Sequence, residues 1–168
     1  MKHLLPAALA LSALVSGPAL AQQPKLLETT SLGEIFAAYQ AICVAHTGDA
    51  KAQAKAAQAA PFAMTPDGGS ADGTVKFINA RMFANVLDDG QKRYCMVTGR
   101  VAEGTTLAQG VALADPVLGK LGSPMPMQDK GHAWTKLDDT KVTAYLHMQH
   151  DVPGQRVASY MLGVEEVK

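Results

Sequence analysis

Cysteine is scarce in this chain, and its two copies, Cys43 and Cys95, are spaced too far apart for a CxxC redox pair or a cysteine-based zinc knuckle. Other short motifs that announce chemistry are also missing. No HExxH helix, no GxSxG elbow and no glycine-rich loop ending in GKS or GKT occurs. Charge of either sign is not in excess, since 15 Lys and Arg balance 15 Asp and Glu. With no local basic block, the chain has no long-range attraction for phosphate backbones, which argues against nucleic-acid binding. After the first 21 residues no apolar run is long enough to span a bilayer, so no membrane insertion of the mature chain is expected.

What the N-terminus does contain is a secretion signal. Met1-Lys2-His3 provides a positive start, Leu4 to Val15 is nearly all apolar, and Gly17-Pro18 breaks the run ahead of Ala19-Leu20-Ala21. The small residues at 19 and 21 are those a signal peptidase reads, which predicts residues 1–21 as a cleaved signal peptide and 22–168 as a single exported domain. The run is shorter than the roughly 20 residues of a membrane anchor. No cysteine follows it to take a lipid. Loss of Lys2 leaves 14 cationic against 15 anionic residues. A periplasmic or secreted location follows, and an oxidising compartment favours a Cys43–Cys95 disulfide. The competing reading, a reactive thiol with His46 one helical turn beyond Cys43, lacks an identifiable orienting group.

The residue pattern predicts an α+β fold in which an N-terminal helical hairpin packs with an antiparallel sheet, in the approximate order α-α-β-β-α-β-β. Ser31 and Glu34 form a capping-box pair, and Leu32, Ile35, Phe36, Tyr39, Ile42, Cys43 and His46 recur at helical steps. Thr47-Gly48 ends this helix, and Asp49 caps an alanine-rich one that Pro61 stops. Residues 61–73, rich in Pro, Gly, Ser and Asp, read as a surface loop. A short strand is expected at Val75–Ile78, and Asp88-Asp89-Gly90-Gln91 marks a hairpin between Met82–Leu87 and Lys92–Thr98. On the second of these, Arg93, Cys95 and Val97 share one face, and the disulfide would put helices over it. A third helix starts at Thr106, whose Gln109 completes a second capping pair, although Gly110 and Pro116 weaken it. Residues 119–131 read as irregular, with the Ser123–Met127 run unsuited to an inner strand. A final strand pair runs from Val142 to Gln149 and from Arg156 to Val164.

Site candidates are few. Met125, Met127, His132, His147, Met148 and His150 group thioether and imidazole donors that suit copper, Cu(I) above all. However, His147 and Met148 point to opposite faces of a regular strand, and ordinary packing accounts for such methionines. Zinc through His132, His150 and Asp151 has weaker spacing still. Asp88-Asp89 and Asp138-Asp139 fall in turns, where aspartate bonds its own backbone. Trp134, outside any firm element and near His132, reads either as a plug for one end of the core or as part of a binding surface. The chain therefore reads as an exported, non-catalytic binding or protein-interaction module with an unidentified protein or small ligand and no cofactor. An exported hydrolase with a scattered active site and a periplasmic copper-binding protein are the rival readings.

Overall fold

The computed structural model describes residues 27–60, 62–69, 73–128, 131–152 and 155–166. It is an α+β fold with helices on one side of a large antiparallel sheet. The first helix, α1 (Leu32–Tyr39), begins where the sequence predicts. Ser31 Oγ accepts from the Glu34 N–H at 3.1 Å, and a Glu34 carboxylate oxygen accepts from the Ser31 N–H at 3.0 Å. It runs on through a π turn at Gln40–Val44 and stops before His46. Gly48 then takes φ +81°, the left-handed geometry that lets the chain reverse. The second helix, α2 (Ala50–Ala59), is capped by Asp49, whose side chain accepts from the Ala52 N–H. Its buried Gln53 donates to the Cys43 carbonyl at 3.3 Å, which ties the two helices together.

Strands β2 (Ala63–Gly69), β3 (Thr74–Ile78), β4 (Met82–Asp88) and β5 (Lys92–Val101) form one meander. The helix α3 (Leu107–Leu118) follows, and then a second meander of β6 (Met125–Met127), β7 (Gly131–Leu137), β8 (Thr140–Val152) and β9 (Gln155–Glu166). The sheet order is β2-β3-β4-β5-β9-β8-β7-β6, so the two meanders join edge to edge along the long β5–β9 pairing. A two-residue strand β1 (Thr29–Thr30) runs parallel to the end of β5.

Two stretches read as loop or irregular contain strands. Residues 63–69 are β2, and residues 125–127 are β6. Both are outermost in the sheet, where a proline such as Pro66 or Pro126 removes no inner ladder bond. A register shift between Met64 and Gly69 further loosens the β2 pairing. Trp134, read as lying outside any firm element, is within β7.

The core lies between the helices and one face of the sheet. Ile35, Phe36, Tyr39, Ile42 and Cys43 from the first helix meet Val97 and Cys95 of β5 and Tyr160 and Leu162 of β9. Phe36, Tyr39 and Tyr160 form an aromatic cluster with ring centroids 5.0–5.9 Å apart. Burial pushes the Tyr39 and Tyr160 phenols well above their ordinary range. The Cys43–Cys95 disulfide, with Cα atoms 5.4 Å apart, pins the π turn to β5 and makes the Arg93-Cys95-Val97 face the helix-covered one. Neither cysteine is free, which removes the reactive-thiol reading.

Across the sheet α3 makes an unusually close approach. Gly110 is buried, and a Cβ there would stand 2.6 Å from Leu146 Cδ2; the Tyr160 hydroxyl donates to the Gly110 carbonyl at 3.2 Å. The glycine that weakens the helix by propensity is what lets the helix sit down on β8 and β9. No helix among the described residues is long and apolar enough to cross a membrane.

Candidate functional site

Side chains on a strand alternate between faces, so helices on one side leave half of this sheet's side chains on an open face. The register places them in ranks. One rank runs Phe83, Thr98, Ser159, His147, Gly131, Met127 across β4, β5, β9, β8, β7 and β6. The next runs Asn85, Met96, Met161, Tyr145, Ala133, Met125. An antiparallel sheet with one solvent face normally alternates apolar with polar residues. Here both faces carry large apolar groups.

These ranks enclose a groove of about 500 Å³, lined chiefly by Phe83, Met96, Met127, Tyr145, Val157 and Met161. That volume lies within the range of small-molecule sites, which combine apolar walls with a few fixed polar groups. Thr98, Ser159, His147 and Gln149 supply those polar groups. Thr98 Oγ1 and Ser159 Oγ share a hydrogen bond of 2.9 Å. No carboxylate lines the groove among the described residues, so Ser159 and His147 are neighbours there without an acidic orienting group.

The residues singled out from the sequence divide between the two sides of the sheet. Met127 and His147 line the groove, on either side of Gly131. Met125, 54% exposed, stands on the same face at the sheet's edge. His132 and Met148 point the other way, and Met148 is buried in the core. His132 Nδ1 is buried with no hydrogen-bond partner. His132 and His147 therefore do not converge. The His150 side chain lies outside the described residues.

Trp134 is fully buried and its indole N–H donates to Asp115 Oδ1 of α3 at 3.0 Å. It fills one end of the core and presents no surface to a partner. No group of three or more His, Cys, Asp or Glu side chains suited to a metal ion occurs among the described residues.

Half of the groove lining comes from Phe83, Met96, Tyr145, Val157, Ser159 and Met161, none of them among the sequence's site candidates. One signal did point to them. Met96 alternates with Cys95 and Val97, and Met161 with Tyr160 and Leu162, so both strands are apolar on both faces.

Comparison with protein-family models, with curated proteins and with solved structures finds no match to this chain.

Proposed function

We propose that this protein is an exported, non-catalytic binding module that holds an apolar ligand in the groove on the open face of its sheet. The observation that carries the reading is the concentration of Met96, Met161, Met127, Phe83 and Tyr145 around one concavity on the sheet face opposite the described helices. Thioethers are flexible and polarisable, which suits a surface that repacks around its ligand. Export is supported by the signal-like residues 1–21 and by the disulfide, because disulfides persist in oxidising compartments.

The test is binding of a neutral environment-sensitive dye, N-phenylnaphthylamine, to the purified protein. Saturable fluorescence enhancement is expected, lost in Met161→Asp and kept in Leu137→Asp, whose site is 66% exposed and outside the groove lining. Absence of saturable enhancement in the wild-type protein would remove the reading.

A second reading is favoured by one observation: three methionines, Met96, Met127 and Met161, line the same groove as His147. Soft sulfur with one imidazole suits Cu(I). Titration with Cu(I) against a competing chelator decides it.

A further inference from the structure

The open face is not electrically neutral, although the chain as a whole has a formal net charge of zero. The strand registers place Lys76, Lys92, Arg100 and Lys141 on this face, against Glu165 as the sole described acid among its strand side chains. These cations are not equivalent. Lys92 and Lys141 flank Glu165 across the strands, with Lys141 Nζ 3.5 Å from its carboxylate, and the Asp89 side chain accepts from the Lys92 backbone N–H in the adjoining hairpin. Carboxylates already occupy that end of the sheet.

Arg100 stands at the opposite end. Its neighbour Gly99 faces α1, where a Cβ would lie 2.9 Å from Ile35 Cδ1, so the Arg100 side chain takes the open face. Across the strands Arg100 pairs with Val157, which pairs in turn with Gln149, and both of those line the groove. The next rank inward is the polar one, Thr98, Ser159 and His147, and beyond it lies the apolar one, Met96, Met161 and Tyr145. Gly163 follows on β9 with no side chain, and a Cβ there would meet nothing nearer than the Thr143 carbonyl oxygen at 3.8 Å. Across β5 and β9 the open-face ranks thus pass from Arg100 with Val157, through the Thr98 and Ser159 hydroxyls, to the Met96 and Met161 thioethers, and Gly163 leaves the next step open before the charged Lys92–Glu165–Lys141 rank.

We propose that the ligand is a single-chain carboxylate amphiphile of the fatty-acid class, its head on Arg100 beside Gln149 and its chain along β9 across Met96 and Met161. This rests on the groove binding an apolar ligand, and it adds the identity of that ligand's head group. One planar guanidinium matches one carboxylate in charge and in its pair of parallel donors. Beyond the polar rank, Met96, Met161 and the Tyr145 ring offer an alkyl chain apolar contact.

The experiment is displacement of N-phenylnaphthylamine by dodecanoate, dodecanol and dodecyltrimethylammonium, each below its critical micelle concentration. Dodecanoate is expected to displace the dye at concentrations about tenfold below the other two, as a charge-assisted hydrogen bond implies. Arg100→Gln should erase that preference while dye and dodecanol binding stay within about twofold of the wild type. Gly163→Val, whose Cβ would meet nothing nearer than 3.8 Å, should weaken dodecanoate and leave octanoate unchanged. Equal displacement by all three compounds, or an Arg100→Gln variant that still prefers dodecanoate, would overturn the proposal and leave the apolar groove standing. Failure of the dye itself to bind would remove both.

Discussion

Met96 and Met161 lie directly opposite each other on the two central strands, on the face that none of the described helices covers. Their sequence neighbours Cys95 and Leu162 form the equivalent pair on the buried face. The β5–β9 seam therefore closes the core on one side and floors the groove on the other. Replacing both methionines by leucine conserves volume and apolarity but deletes the sulfur. The double variant Met96→Leu/Met161→Leu should bind N-phenylnaphthylamine with affinity within about threefold of the wild type, a change well under 1 kcal/mol. Any Cu(I) retention should fall sharply, since only the Met127 thioether and the His147 imidazole remain in the groove. Intact dye binding without copper uptake in either protein leaves the apolar reading alone in place.

The disulfide closes a loop of 52 residues between the first helical segment and a central strand. Loop-closure entropy puts its contribution at about 4 kcal/mol. The folded, oxidised protein should show no titratable thiol, and the Cys43→Ala/Cys95→Ala variant should lose about that much stability in urea denaturation. A loss near zero would mean that the unfolded chain is already constrained elsewhere.

At Gly110 two effects oppose each other. Alanine is the better helix former by about 1 kcal/mol. Its methyl would stand 2.6 Å from Leu146 Cδ2, and Leu146 is fully buried with little room to move. Overpacking of this kind costs about 1–3 kcal/mol, so Gly110→Ala should be net destabilising. A rise in melting temperature would show that α3 can lift from the sheet without penalty.

Trp134 offers a direct optical check because it is the chain's one tryptophan. Its burial predicts blue-shifted emission that moves to the red on unfolding. Removing its acceptor in Asp115→Ala should cost about 1–3 kcal/mol, the range for stranding a buried donor. Emission typical of water-exposed indole in the native state would contradict the packing of β7 under α3.

Glu34 sets the expected behaviour in acid. The Ser31 backbone N–H, then the Thr30 and Ser31 hydroxyls and the nearby Arg81 charge, hold its carboxyl at about 2, down from an ordinary 4.5. A depressed folded value contributes stability above pH 4.5 that is lost as pH falls toward 2. Glu34→Gln should flatten that part of the stability profile. An unchanged acid limb would show that other carboxylates control it.

Local signals in this chain were legible because their physics is local. Both capping boxes, at Ser31–Glu34 and Thr106–Gln109, formed as read, since each needs only atoms three residues apart. The Asp88–Gln91 turn formed for the same reason, with Asp88 and Asp89 side chains accepting the N–H groups of Gly90, Gln91 and Lys92. Loop-like composition misled at residues 63–69 and 125–127. Proline and glycine lower strand propensity, but edge placement in a sheet is a tertiary property that lifts the objection.

By itself the sequence determined which segments could be helices, where turns fall, that two cysteines were available to pair, and that His147 and Met148 must face opposite ways. Only the tertiary structure decided which face of β8 the helices would cover, and with that choice whether Met148 or His147 looked into the groove. The physical reason is that alternation along a strand assigns residues to two sides without naming the inner one. Five further strands must come into register before Phe83, Met96, Met161, Tyr145 and Met127 meet, and no local pattern along the chain contains that assembly.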